Sequence, residues 1–131
     1  MQIKSDLKLV TKTSDKLLGE LSALNLDDSI LFEIKLALEE ALINAIIHGN
    51  KRKEDLPVSI GLSVKDGSIE ITVEDTGCGF DYRKIPNPIL DENMMKMGGR
   101  GVFLIKRLMD KVNYNDPGNR ITMVKHISNK K

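Results

Sequence analysis

The sequence predicts an α+β fold, an α/β sandwich whose helices pack on one face of a mixed, mostly antiparallel sheet. Residues 58–64 and 69–73 alternate apolar with polar side chains on either side of an Asp66-Gly67 turn, which is typical of a β-hairpin. Helical periods precede and follow this hairpin. The chain has 131 residues, so we expect one domain spanning residues 1–131.

The elements before the hairpin follow from shorter patterns. Leu7 and Leu9 alternate with polar residues and predict a first strand. Ser14 is the expected cap of a short helix, because leucines follow it at helical spacing. A longer helix is expected over residues 28–47. Its predicted core face consists of Ile30, Ile34, Leu38, Leu42 and Ala45.

The periodicity disappears over residues 75–101, a stretch that contains five glycines, two prolines and three methionines. A loop of this length in a small domain is often a binding loop or a lid. A helix over about residues 102–111 and strands over 112–115 and 121–127 are expected to follow, with a turn at residues 116–119 between the strands.

Composition and net charge give no support to several classes of protein, although they exclude few. The 20 basic and 19 acidic residues leave a net charge of +1, so charge gives no argument for a nucleic-acid partner or an anionic membrane. The single cysteine cannot form an intrachain disulfide. No apolar run reaches the roughly 20 residues of a membrane span. We therefore expect a cytoplasmic protein without direct nucleic-acid or membrane contact.

Three polar residues interrupt the apolar end of the long helix. Glu40, Asn44 and His48 are spaced four residues apart and so form one stripe. Taken alone, Asn44 would be interpreted as a buried amide that hydrogen-bonds to the backbone. With Glu40 one turn earlier, the pair offers a carboxylate and an amide oxygen suited to Mg²⁺ and to a polarised hydroxyl.

An acid and two glycines follow the second strand of the hairpin. Asp75, Gly77 and Gly79 are compatible with a simple strand-end turn, since this pattern is common. The functional interpretation is a carboxylate beside backbone that a flat ligand can approach closely. An ionised Asp only accepts hydrogen bonds, so it would select the exocyclic amine of adenine.

Glycines also precede the next apolar helix. Gly98, Gly99 and Gly101 leave N–H groups free at a helix start, where the helix dipole favours anions, and Arg100 adds a cation for phosphate. A glycine-rich helix start alone is weak evidence, and this one does not match the P-loop pattern.

Taken together, these motifs resemble those of a known family. Residues 40–49 (Glu-Ala-Leu-Ile-Asn-Ala-Ile-Ile-His-Gly), 75–79 and 99–101 are similar to the N box and two glycine boxes of the GHKL ATPase superfamily. The ending Asn-Ala-Ile-Ile-His-Gly and the small size resemble the anti-sigma-factor serine kinases. The resemblance covers essentially the whole chain and implies a Bergerat-type fold that binds ATP and Mg²⁺.

The resemblance also implies residue roles. Glu40 matches the proposed general base, Asn44 the Mg²⁺ ligand, and Asp75 the acid that reads adenine. Thr122 resembles the threonine that supports an adenine-bound water. Residues 81–98 would form the ATP lid. The remaining nucleotide-binding positions are Gly77, Gly79, Gly98, Gly99, Arg100 and Gly101. The position of Arg100 varies within the family, so its contact with the γ-phosphate rests on local chemistry alone.

The function implied is a protein serine/threonine kinase that phosphorylates an anti-sigma-antagonist protein and holds a sigma factor inactive. Members of the family often form homodimers, which the resemblance suggests here as well. The alternative is a non-catalytic, nucleotide-sensing module that regulates a partner protein. A fragment of a sensor histidine kinase is disfavoured, because neither His48 nor His126 falls in a suitable dimerisation helix.

Overall fold

The computed structural model describes residues 1–77, 99–115 and 118–127. Within these residues the chain forms a five-stranded sheet and three α-helices. The strands are β1 (Gln2–Lys4), β2 (Pro57–Lys65), β3 (Ser68–Glu74), β4 (Lys111–Tyr114) and β5 (Arg120–His126). The helices are α1 (Val10–Gly19), α2 (Asp28–Asn44) and α3 (Gly99–Leu108).

The sheet has the strand order β1-β2-β3-β5-β4, and every pairing among the described strands is antiparallel. The predicted hairpin is confirmed as β2 and β3. Asp66 and Gly67 connect these strands with φ values of 52° and 76°. Positive φ at both central residues is what a type I′ turn requires, and the twist of that turn matches the twist of the strands.

Among the described residues, helices cover one face of the sheet. Helix α2 packs against both α1 and α3, and alternate residues of β2, β3 and β5 point into the resulting core. The fully buried centre includes Ile34, Leu38, Leu42, Ile69, Ile71 and Met123. This arrangement is the predicted layer of helices on one face of a sheet. No helix among the described residues combines the length and apolar character needed to cross a membrane.

The N-terminal segment differs from the prediction. The first strand is Gln2–Lys4, and the stretch Leu7–Leu9 is a 3-10 turn, so the predicted strand at Leu7 and Leu9 is wrong. The side chain of Asp6 accepts a hydrogen bond from the backbone N–H of Lys8 at 2.9 Å. This local cap stabilises the turn, whereas an alternation over two leucines was too short to specify a strand.

The predicted cap of helix α1 is also wrong. The helix begins at Val10, so Ser14 lies inside it rather than before it. The buried hydroxyl of Ser14 lies within hydrogen-bonding distance of two acceptors, the carbonyl oxygen of Thr11 at 3.0 Å and the carboxylate of Glu39 on helix α2. Ser14 therefore joins two helices instead of starting one.

Two helix boundaries near the expected motifs are shifted. Helix α2 passes at Asn44 into a π-helical turn, Ala45–Gly49, and the chain then adopts left-handed conformations at Lys51 and Arg52. Such wide turns are frequent at functional sites. Helix α3 begins at Gly99, three residues before the predicted start at Val102.

Lys125 links both helices to the sheet. Its ammonium group lies 2.7 Å from a carboxylate oxygen of Glu33 on α2 and donates to the carbonyl oxygen of Leu108, 2.7 Å away, at the end of α3. A cation at a helix C-terminus satisfies a carbonyl that has no partner within the helix. Lys125 of the sheet thus bridges α2 and the end of α3, which restrains the position of α3 relative to α2.

We expect Leu38→Ala to lower the free energy of unfolding by about 3 kcal/mol, because this fully buried side chain would leave a cavity. Phe32→Ala is the matched control on the same helix, since Phe32 is 63% exposed. The control should cost less than about 1 kcal/mol. Urea denaturation of both variants measures the difference, and equal losses would contradict the described burial of α2.

Candidate nucleotide-binding site

Helix α2 carries the first part of the candidate site near its C-terminal end. Glu40 and Asn44 are both partly exposed, whereas Leu38 and Leu42 on the other side of the helix are completely buried. One helical turn separates the carboxylate from the amide, so they face the same direction. The structure therefore agrees with a polar stripe that is accessible at this end of the helix.

The chain after Asn44 brings the helix end against the loop that follows β3. Gly49 packs on the carboxylate of Asp75 so closely that a Cβ atom at position 49 would collide with it. A Cβ atom at position 77 would likewise collide with the carbonyl oxygen of Gly49. Asp75 and Gly77 can approach the helix end only because positions 49 and 77 lack side chains. The two motifs are thereby joined into one site.

Asp75 is partly buried, and its carboxylate has a defined orientation. One oxygen, Oδ1, accepts a hydrogen bond from the backbone N–H of Gly77 at 2.8 Å. Desolvation raises the pKa of Asp75, the Gly77 hydrogen bond opposes this shift, and the negative charge of Glu74 adds to it. The ionised form is thus held at some cost in free energy, which is common for functional carboxylates.

Two asparagines hold the loop of residues 75–77, and sequence reasoning singled out neither of them. Asn50, immediately after the π-helical turn, accepts hydrogen bonds from the backbone N–H and the hydroxyl of Thr76 at 2.8 and 3.0 Å. Nothing in the local pattern distinguishes Asn50 from an ordinary residue at a helix end. Its burial, with 1% of its surface exposed, is a tertiary property.

The second asparagine comes from the turn before β5. The carbonyl oxygen of Asn119 accepts from the backbone N–H of Asp75 at 2.9 Å. Its side-chain Nδ2 lies 3.3 Å from the carbonyl oxygen of Asp75 and 3.4 Å from that of Gly77. Asn115 in turn accepts from the backbone N–H of Asn119 at 3.0 Å. From the sequence, Asn119 is predicted only as part of the turn at residues 116–119.

His48, the third residue of the predicted stripe, has a lowered pKa. Partial burial of the ring and the positive charges of Lys51 and Arg52 are the causes, because each disfavours the imidazolium form.

The start of helix α3 forms the glycine-rich part of the candidate site. Gly99, Arg100 and Gly101 belong to the first turn of this helix rather than to a loop before it. Their backbone N–H groups have no acceptor within the helix and are suited to an anion. Gly79, Gly98 and residues 81–98 of the expected lid lie outside the described residues, as does the side chain of Arg100.

Thr122 is not brought to this group of residues. It pairs with Thr72 of β3 and Asn113 of β4. The flanking residues of β5, Ile121 and Met123, point into the core, so Thr122 points to the opposite face of the sheet. In this part of the chain, Asn119 in the turn before β5 is the residue that bonds to the backbone of Asp75.

Comparisons with known proteins are consistent with this geometry. A model of the family described as the histidine kinase-like ATPase domain matches residues 3–125. The serine-protein kinase RsbW of Listeria innocua is 32% identical over 99% of this chain and 91% of its own length. The same-named protein of Staphylococcus aureus is 36% identical over 72% of this chain and 65% of its own length.

Among solved structures, this chain resembles a histidine kinase domain from the Erythrobacter litoralis EL346 blue-light activated histidine kinase. It has a TM-score of 0.56 and 17% identity to this chain, and the match covers 90% of this chain and 61% of that one. This likeness confirms the predicted fold class. The names of the relatives agree with the predicted enzyme class, a protein serine kinase.

We expect Gly49→Ala to weaken binding of ADP with Mg²⁺ by about tenfold or more, because the added methyl group must displace the Asp75 carboxylate. Gly19→Ala is the matched control, since a Cβ atom at position 19 meets nothing within 4 Å. Titration calorimetry of both variants provides the measurement. Wild-type affinity in Gly49→Ala would refute the assignment of this carboxylate to the site.

We expect Asp75→Asn to raise the free energy of unfolding at pH 7 by about 1 kcal/mol while removing ADP binding. The pKa of Asp75 is raised in the folded state, so its contribution to stability is present below the ordinary value of 3.8 and is lost as pH rises through the folded value. The stability difference between variant and wild type should therefore grow with pH from about pH 4 and then level off. Urea denaturation between pH 4 and pH 8 measures it; a difference that shrinks with rising pH contradicts the raised pKa.

Proposed function

Because the chain belongs to the family of histidine kinase-like ATPase domains, we propose that it is a Mg²⁺-dependent kinase acting on a serine or threonine of an anti-sigma-antagonist protein. The observation that carries this proposal is the contact between Gly49 and Asp75. This contact brings the helix that bears Glu40 and Asn44 next to Asp75, whose partly buried carboxylate is suited to bind the adenine ring of a nucleotide. One end of the site can thus bind adenine while the other faces the triphosphate.

Asp75 provides the specificity for adenine. Its Oδ1 is engaged by Gly77, which leaves Oδ2 to accept a hydrogen bond from the exocyclic amine of the base. Guanine presents a carbonyl oxygen at the corresponding position, and an ionised carboxylate repels it. Gly77 and Gly79 keep the surrounding backbone free of side chains, so a flat ring can lie close to it.

The phosphate end is formed by Asn44 and the start of helix α3. The amide oxygen of Asn44 is a suitable ligand for Mg²⁺, which in nucleotide sites takes most of its other ligands from phosphates and water. The bound ion supplies positive charge that offsets the charge of the triphosphate. Gly98, Gly99 and Gly101 present backbone N–H groups to the phosphate oxygens, and Arg100 adds a fixed cation.

Glu40 is the proposed general base. Its carboxylate takes the proton from the hydroxyl of the partner's serine, and the serine oxygen forms a bond to the γ-phosphorus as the bond to the ADP oxygen breaks. The proton then resides on Glu40, and the products are phosphoserine and ADP. Partial exposure of Glu40 leaves room for the side chain of a partner protein.

The proposed partners are an anti-sigma antagonist as substrate, a sigma factor that the protein keeps inactive, and a second copy of the chain in a homodimer, and the proposed location is the cytoplasm. The similarity to serine-protein kinases named RsbW over 99% of this chain supports the kinase step. A nucleotide-sensing module without catalysis is the second candidate. The kinase is favoured, because Glu40 is accessible beside Asn44 and a binding module needs no base there.

We expect Glu40→Gln to reduce transfer of phosphate from ATP to the antagonist by at least about 100-fold while leaving ADP affinity within about twofold, because a general base acts on transfer alone. Glu39→Gln is the matched control, since Glu39 contacts Ser14 and Lys35 instead. Radiolabelled ATP and a purified candidate antagonist protein provide the assay. Tight ATP-dependent partner binding with no transfer by the wild type would favour the sensing module.

A further inference from the structure

The amide of Asn50 is buried, and all of its hydrogen-bonding groups are engaged. Its Nδ2 lies 2.8 Å from the hydroxyl of Ser5 and within 3.2 and 3.1 Å of the carbonyl oxygens of Leu56 and Pro57. Its Oδ1 accepts both bonds from Thr76. The side-chain nitrogen of Asn50 therefore bonds to a scaffold formed by Ser5, Leu56 and Pro57, whereas both bonds of its side-chain oxygen come from Thr76.

That residue lies between the two that form the adenine end of the site. Thr76 separates Asp75, which accepts from the Gly77 N–H, from Gly77 itself. On the opposite side, Asn119 bonds to the backbone of both Asp75 and Gly77. Three consecutive residues are thus held between two asparagine side chains.

We propose that Asn50 is a positioning residue for nucleotide recognition: through Thr76 it fixes the direction in which Asp75 presents its carboxylate to the base. This inference rests on the proposed role of Asp75 in binding adenine. The contacts of Nδ2 with Ser5, Leu56 and Pro57 anchor the amide to the scaffold, and its buried Oδ1 takes both of its bonds from Thr76. The two bonds to Thr76 reach beyond that scaffold, to the exposed residue beside the ligand-binding acid.

Weakening this contact from either side should reduce selectivity for adenine. Asn50→Ala removes both bonds to Thr76, whereas Thr76→Val removes the hydroxyl bond and keeps the backbone N–H bond. In both variants the loop of residues 75–77 loses a restraint, so Asp75 spends less time in the orientation that accepts the exocyclic amine. We expect ADP affinity to fall about tenfold in Asn50→Ala and about threefold in Thr76→Val. GDP affinity should stay unchanged, because GDP gains nothing from that orientation. Thr76→Ser keeps the hydroxyl and should restore the wild-type ratio of the two affinities.

Ser5→Ala is the matched control, because it removes a hydrogen bond from the same amide on the side away from the nucleotide. It should lower the urea midpoint without changing the ratio of GDP to ADP dissociation constants. Titration calorimetry with ADP and GDP, each with Mg²⁺, gives that ratio for every variant. If Asn50→Ala does not fold, Thr76→Val decides, since it leaves the buried amide in place.

The outcomes are separable. A wild-type ratio in the folded Asn50→Ala or in Thr76→Val overturns the positioning role of Asn50 and leaves nucleotide binding intact. A ratio that falls equally in Ser5→Ala also overturns it, because the effect would then be general loosening. Failure of the wild type to bind ADP overturns the proposed function itself, and the positioning role with it.

Discussion

The backbone of Gly49 and the carboxylate of Asp75 meet at one point, and the candidate site depends on this contact. The π-helical turn Ala45–Gly49 widens the end of helix α2 and carries the chain to that point. Without it, the helix bearing Asn44 and the strand end bearing Asp75 would present their polar groups separately. The site therefore results from a departure from α-helical geometry, which fits the frequent occurrence of such turns at functional positions.

The same contact has an energetic consequence. Bringing the carboxylate against the helix end desolvates it, and the Gly77 N–H offsets only part of that loss, so the pKa of Asp75 stays raised. A neutral side chain would be more stable in this place. Retention of an ionisable group at an unfavourable position is typical of residues kept for binding rather than for folding.

Sequence reasoning succeeded where the pattern was local. The hairpin and the core face of α2 follow from spacing within single elements. The family resemblance follows from three short motifs taken together along the chain, and the match over residues 3–125 confirms it. It failed at the first strand, because Asp6 caps a turn over Leu7–Leu9. Two-residue alternation cannot reveal such a competing cap.

The parts of the site that sequence could not supply are formed by distant residues. Asn50 is 26 residues from Thr76, and Asn119 is 42 residues from Gly77. Asparagine in a turn is ordinary, so only the fold distinguishes these two from others. Thr122 illustrates the opposite case: its residue type matched the family, but strand alternation places it on the far face of the sheet.

The hydrogen bonds of Asn50 and Asn119 also bear on how the molecule folds. They connect the N-terminal segment, the end of α2, the loop after β3 and the turn before β5, with separations of 45, 26 and 44 residues. Contacts of such long range form late, after the loops between them have closed. The candidate site is therefore complete only in the folded chain, and a ligand bound at Asp75 would stabilise the whole domain against unfolding rather than one loop. Local opening of any one of these four segments would disrupt the candidate site, so the residence time of such a ligand would depend on the cooperativity of the entire fold.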